Sequence, residues 1–213
     1  MKISILLPYK ENFSPNYAGA VSLFVKDISK ISKYKKNIYI YGNTKFKKTF
    51  ALKYINLDLN KTFIESQSEK YIEKFAKEEK KFSSDIIEIH NRPTYLSYLI
   101  KENIRDVKYV IYFHNDPLSM RGSKTIKERI FLLKNCGNII FNSQWSKKRF
   151  LKNLDNFEHK DKLITIYQSA PKTKINFDKK EKLISFIGKL NVAKGYDLFG
   201  SSIVKILDKH KDW

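Results

Sequence analysis

The stretch that most restricts the fold is residues 109–122, Tyr-Val-Ile-Tyr-Phe-His-Asn-Asp-Pro-Leu-Ser-Met-Arg-Gly. Its first five residues form an unbroken apolar run of β-branched and aromatic side chains. A strand that faced water on one side would alternate, so this run predicts a strand buried on both faces. The run breaks abruptly into His114, Asn115, Asp116 and Pro117. Pro117 cannot continue regular structure, and Gly122 closes the loop before a helix expected from Ser123. A buried strand therefore delivers His114, Asn115, Asp116 and Arg121 to its carboxyl end, the edge of an open α/β sheet where ligands bind. A turn with polar caps is the plainer reading; the gathering of His, Asp and Arg favours a site.

The rest of the chain supplies the sheet that such a strand requires. Strands are expected at residues 2–7, 37–41, 53–59, 85–90, 137–142 and 162–167. Helices are expected at 20–33, 62–82, 93–103 and after the N-cap Ser143. The first helix sets Val21, Phe24, Val25, Ile28 and Ile31 at helical spacing; the second does so with Ile64, Tyr71, Ile72, Phe75 and Phe82. Strands alternating with helices mean an α/β fold, a Rossmann-like parallel sheet with helices on both faces. Residues 171–181 are lysine-rich, with little apolar content, and are expected to be a linker. Residues 182–187 then suggest a new strand and 195–210 a helix with Tyr196, Phe199, Ile203, Ile206 and Leu207 inward. A lone βα pair cannot bury its own face. The organisation expected is thus a domain over 1–170, a linker at 171–181, and over 182–213 the first βα unit of an incomplete second domain.

Composition bounds the function. No apolar run approaches the roughly 18–20 residues of a membrane helix, and the apolar start is too short for a signal peptide. The single Cys136 cannot form an internal disulfide and is expected to be a small core residue, consistent with a reducing cytoplasm. Lys and Arg total 42 against 22 Asp and Glu, a formal charge of +20. Such a surplus attracts polyanions. Here the lysines run through every segment together with many Ile and Asn, as an amino-acid usage bias produces. A basic surface in peripheral contact with the inner face of a membrane accounts for the remainder.

Residues 184–195, Ile-Ser-Phe-Ile-Gly-Lys-Leu-Asn-Val-Ala-Lys-Gly, place Lys189 and Lys194 on a loop before a helix. Two ammonium groups beside a helix N-terminus suit a diphosphate, although two close lysines are unremarkable in a lysine-rich chain. No pair of histidines has metal-ligand spacing, so no metal site is expected. His90 ends a strand and either faces the cleft or caps; His159 and His210 stand among lysines and are expected to be solvated. No Gly-x-Gly-x-x-Gly follows the first strand, which argues against a dinucleotide dehydrogenase. No Gly-x-Ser-x-Gly surrounds Ser143, and Trp145 is expected to pack.

In their order and spacing these stretches resemble the family-4 retaining glycosyltransferases of GT-B fold (glycosyl transferases group 1). The strand-Gly188-Lys189-x4-Lys194-Gly195 pattern, the Pro15-to-Ala20 loop before a helix, Ile87-Glu88-Ile89-His90-Asn91-Arg92-Pro93, Phe113-His114-Asn115-Asp116-Pro117 and Ile139-Ile140-Phe141-Asn142-Ser143 carry the likeness. The resemblance implies transfer of a sugar from a nucleotide-sugar donor, with retention and without metal or other cofactor. The acceptor, a glycan, lipid or small molecule, is left unnamed. It implies that Gly19, Lys189 and Lys194 face the donor diphosphate, that Asn91, Arg92, Asn115, Asp116 and Arg121 lie on acceptor-side loops, and that His114 sits at the transferred sugar as the catalytic residue. Ala18 stands where the family has the first of two glycines, and Lys189 where it has arginine, which keeps the charge but loses the bidentate fork. The family's paired glutamates for donor sugar and ribose are absent from these 213 residues, so the chain alone is expected to be inactive. The rival reading is a basic α/β module for nucleic acid or an anionic membrane surface. Nucleic acid is disfavoured because the lysines scatter and the aromatics fall at core periods. A nucleotide-sugar epimerase of related architecture lacks its glycine-rich first turn here.

Overall fold

The computed structural model describes residues 1–59, 66–104, 106–154, 158–170, 172 and 181–213. Ile64 and nearly all of the expected linker at 171–181 lie outside them. The chain divides into two units, Met1–Ser169 and Ala170–Trp213.

The first unit holds one seven-stranded sheet in the order β3-β2-β1-β4-β5-β6-β7. Its strands are β1 (Ile3–Leu6), β2 (Ile38–Gly42), β3 (Tyr54–Asn56), β4 (Ile86–His90), β5 (Lys108–Phe113), β6 (Asn138–Phe141) and β7 (Leu163–Thr165), all paired in parallel. Strand β5 lies beside the middle strand, β4. From Tyr109 to Phe113 every residue is buried, as its unbroken apolar run predicts. The helices are α1 (Ala20–Ile31), α2 (Gln67–Phe82), α3 (Thr94–Lys101), α4 (Ile126–Asn135) and α5 (Gln144–Leu151).

Strand alternation divides the core in two. Leu6, Tyr41, Ile87, Ile89, Ile111, Phe113, Ile139 and Phe141 point to the face covered by α2, α3, α4 and α5. Ile5, Leu7 and Ile40 point to the other face, where Val21 and Val25 of α1 cover them. Right-handed crossovers require this: β1 to β2 runs one way along the sheet, β3 to β4 and all later connections the other. The sense of winding therefore reverses between β1 and β4, and a crevice opens at their carboxyl ends.

Several expected boundaries shift for identifiable reasons. The helix expected from Ser123 starts at Ile126, because Ser123 belongs to the loop: it is buried and its Oγ donates to the Pro117 carbonyl at 2.6 Å. The true N-cap is Thr125, which accepts from Glu128 N while the Glu128 carboxylate accepts from Thr125 N, a capping box. Gly122, at φ +88°, lies so close to α3 that a Cβ would come within 2.7 Å of Thr94 N. Ile31 is 85% exposed, so the apolar stripe of α1 ends a turn early.

In the second unit the strand expected at 182–187 does not form; residues 181–187 have no regular structure. A strand needs a neighbour to accept its ladder, and this unit offers none among its described residues. The helix does form, as α6 (Tyr196–Lys209), but none of its residues is buried. Phe199 meets Phe186 with rings 5.5 Å apart, while Leu198, Val204, Ile206 and Leu207 are exposed. Among the described residues of this unit the inward set expected for this helix has no layer to pack on. No helix among the described residues is long and apolar enough to cross a membrane.

Candidate functional site

Glu88 and His90 are two apart on β4, and Tyr112 and His114 two apart on and just beyond β5. Alternation puts all four on the α1 face, and the register sets His90 beside Tyr112. Phe24 of α1 covers them. The Tyr112 and His114 rings stack at 4.5 Å, the His90 and His114 rings at 5.0 Å, and Phe24 meets His114 edge-on at 5.1 Å. His90 is fully buried and His114 half-buried.

Polar contacts fix the proton positions. Glu88 Oε1 lies 2.6 Å from His90 Nε2, off the line of an aligned hydrogen bond, so the carboxylate acts on the dipole of a neutral ring. A carboxylate there requires that Nε2 carry the proton, which leaves His90 Nδ1 as an acceptor. His114 Nε2 is 2.7 Å away and must donate to it. His114 Nδ1 is then bare, and it accepts from the Gln168 amide Nε2 at 2.6 Å. Three groups in a row thus hold His114 as one neutral tautomer. Burial first, and then His90 beside it, lower its pKa from 6.5 to about 3. The backbone of His114 is pinned as well: Asn91 Oδ1 accepts from its N–H and Asn142 Nδ2 donates to its carbonyl. Asn91 does so at φ 51°, a left-handed conformation that asparagine tolerates.

Beside this cluster lies a cavity of about 610 Å³ at the crevice between β1 and β4. Tyr9 follows β1, Asn91 and Arg92 follow β4, and Ser119 to Arg121 follow β5; the first turns of α2 and α3 close it. Of the residues expected on acceptor-side loops, the structure gathers Asn91, Arg92 and Arg121 here. It does not bring the other two. Asn115 is exposed, and Asp116 accepts from Arg149 through both carboxylate oxygens while capping Leu118 N. The hydrogen bond from Arg149, with help from the Leu118 N–H, holds the Asp116 carboxyl below its usual range against a smaller desolvation. Trp145, expected to pack, is 59% exposed beneath Arg149.

Gly19 precedes α1, as expected of a phosphate-facing loop, but a protein carboxylate already stands there. Glu11 Oε1 accepts from Ser22 N at 3.0 Å, and a Cβ on residue 19 would lie 2.1 Å from that oxygen. Glycine leaves room for the carboxylate in this position. In the second unit Lys189 is exposed on an irregular loop and Lys194 ends a short 3₁₀ turn before α6. Cys136 is buried, and desolvation pushes its thiol up to about 12, a core residue as expected. His159 and His210 are exposed. No group of three His, Cys, Asp or Glu able to hold a metal occurs among the described residues.

Sequence reasoning ranked His90 low and missed Glu88, Gln168, Phe24 and Asn142. One signal was present: Glu88 and His90 are polar at alternate positions of an otherwise apolar strand, which puts both on one buried face.

This architecture has relatives among solved structures. The Anabaena protein HepE in complex with UDP and glucose superposes with a TM-score of 0.55 at 18% identity, over 80% of this chain and 45% of that one. Its UDP-glucose complex gives 0.53 at 15% identity. Sucrose-phosphate synthase from Thermosynechococcus elongatus gives 0.50 at 10% identity, over 78% of this chain and 47% of that one. The first unit has the Rossmann-like fold of the GT-B glycosyltransferases. The chain spans less than half the length of these proteins. No family model and no curated protein matches the sequence.

Proposed function

We propose that this chain carries the acceptor-side half of a glycosyltransferase, which moves a sugar from a nucleotide-sugar donor to an acceptor held at the carboxyl edge of the sheet. The observation that carries the reading is the His114 cluster. A relay of Glu88 and the buried His90 fixes an imidazole just beyond the carboxyl end of β5, and its bare Nδ1 faces the exposed amide of Gln168. A sugar hydroxyl can replace that amide as donor without disturbing the relay. The likeness to structures bound to UDP and UDP-glucose supports a nucleotide sugar as the donor. His114, held neutral, orients the sugar through a hydrogen bond and takes up no proton near neutrality. Departure of the nucleotide builds negative charge on its diphosphate, which we assign to Lys189, Lys194 and helix N-termini. That assignment is the basis for transfer without a metal ion; retention rests on the resemblance to family-4 glycosyltransferases alone.

The test is nitrogen-15 NMR of the chain with labelled histidine, titrated with UDP-glucose and with free glucose and glucosides. The expected result is a shift of His114 Nδ1 alone, as a hydroxyl replaces the Gln168 amide, with His90 unchanged. A silent His114 at millimolar sugar and nucleotide sugar, with tight, salt-sensitive binding of RNA or anionic vesicles instead, would overturn the reading in favour of a basic binding module.

A further inference from the structure

We infer that the loops after β1 and β2 form a docking surface for an anionic lipid layer, with Tyr17 and Phe46 entering the headgroups and Lys45, Lys47 and Lys48 beside their phosphates. This surface is independent of the transferase reading. Tyr17 is 84% exposed and stacks on Phe46, with ring centroids 5.7 Å apart and planes 20° from parallel. Its backbone is left-handed, at φ 58°. The other non-glycine residues at positive φ among the described ones are all polar: Ser83, Asn91, Asn103, Asp106, Asn153 and His159. A bulky aromatic residue is strained in that region. The strain costs stability, and a ring left in water returns no burial for it. A residue kept there serves something outside the fold.

The aromatic residues that the core needs at this place are already in it. Phe13 is fully buried, edge-on to Phe50 and stacked on Tyr54, with centroids 5.1 Å apart in both pairs. Polar contacts tie the two loops together beneath the exposed pair. Thr44 Oγ1 donates to Asn12 Oδ1 at 3.2 Å and accepts from Phe46 N at 3.3 Å, while Thr44 N donates to Asn56 Oδ1 at 2.8 Å. Tyr17 and Phe46 are thus a second aromatic pair, presented outward on a fixed base.

The charge around them is of one sign. Residues 12–20 and 43–53 contain four lysines and no Asp, Glu or Arg. Lys53 is turned to the Lys36 carbonyl; Lys45, Lys47 and Lys48 are exposed. The Glu11 carboxylate that precedes the first stretch is turned to Ser22 N. Rings with a polar tip settle at headgroup depth, and lysines beside an anionic leaflet are drawn to it. Nucleic acid fits less well. Its bases need free aromatic faces, and here each ring covers one face of the other. Lysine also lacks the planar fork with which arginine grips a single phosphate, whereas a point charge suits a layer of mobile headgroups.

The experiment is co-sedimentation of the 213-residue chain with vesicles of phosphatidylcholine alone and of phosphatidylcholine mixed with phosphatidylglycerol, with thermal unfolding of every variant. Binding is expected to the mixed vesicles and not measurably to phosphatidylcholine. Tyr17→Gly is expected to weaken it at least fivefold while the unfolding midpoint holds or rises, because glycine adopts positive φ without strain. A merely structural Tyr17 would lower the midpoint instead. Phe46→Ser is expected to weaken binding at least fivefold, and Lys47→Gln with Lys48→Gln at least tenfold. Lys127→Gln with Lys134→Gln removes the same charge from exposed positions on α4 and is expected to change binding less than threefold. Equal losses in the two double-lysine variants, or aromatic variants that bind as the wild type does, would reduce the attraction to diffuse charge and overturn the surface. No binding at millimolar lipid overturns it too, as does RNA binding lost in the aromatic variants while vesicles stay free. The transferase reading is decided at His114 and stands or falls separately.

Discussion

Lowering the pH should destabilise this protein through His114 before its carboxylates are protonated. The ring is packed between Tyr112, His90 and Phe24, and its Nδ1 faces an amide N–H. Protonation would bring two N–H groups face to face in a half-buried site, and burial together with His90 depresses the pKa from 6.5 to about 3. A histidine whose folded pKa is depressed contributes stability that is complete above the unfolded value and lost as pH falls toward the folded one. Each pH step below 6.5 costs about 1.4 kcal/mol. At pH 4.5 the ideal loss is roughly 2.7 kcal/mol, and partial exposure of the ring reduces it to about 2 kcal/mol. With a urea m-value of order 2 kcal/mol/M, that lowers the unfolding midpoint by about 1 M. The assay is urea unfolding at pH 7 and pH 4.5 for the wild type and for His114→Gln, which can still donate to His90 but has nothing to titrate. The wild-type midpoint is expected to fall about 1 M further than that of the variant. Equal falls in the two proteins, or a His114 ring that titrates near pH 6.5 by NMR, would refute the reasoning.

Three further outcomes are expected. Gly19→Ala drives the Glu11 carboxylate off Ser22 N and should cost about 1 kcal/mol, the usual worth of a helix cap; in a Glu11→Ala background the same change should cost nothing, and additive losses in a double-mutant cycle would count against the contact. When the chain is assayed together with a complete donor domain, sugar transfer should persist in chelator, and Lys189→Ala or Lys194→Ala should lower kcat by about a hundredfold; activity restored only by manganese would show that a metal does this work. Limited proteolysis should cut within residues 170–181 and leave a stable fragment ending near Ser169, where the two units divide; cleavage within β5 or α4 at the same rate would contradict that boundary.

The amino-acid sequence by itself determined the alternation of strands and helices in the first unit. The unbroken run from Tyr109 to Phe113 meant a strand covered on both faces, and the spacing of Val21, Val25, Tyr71, Phe75 and Phe150 meant helices to cover it. Those are local patterns, fixed by the period of a strand or a helix, so they are legible in order along the chain. Handedness then leaves one sense of crossover, and with it the carboxyl edge as the place for His114. What lies beside His114 is not local. His90 and Glu88 come from a neighbouring strand, Phe24 from a helix about ninety residues earlier, and Gln168 from beyond β7; only register and strand order bring them together. The same holds for Asp116, an apparent ligand residue until Arg149 closes on it, and for Gly19, whose phosphate-like loop receives the carboxylate of Glu11. In residues 182–187 the sequence has the composition of a strand, yet no strand forms, because a parallel strand is made by its neighbours' hydrogen bonds as much as by its own side chains. Local pattern chooses the elements; which charges meet is decided only when the sheet is assembled.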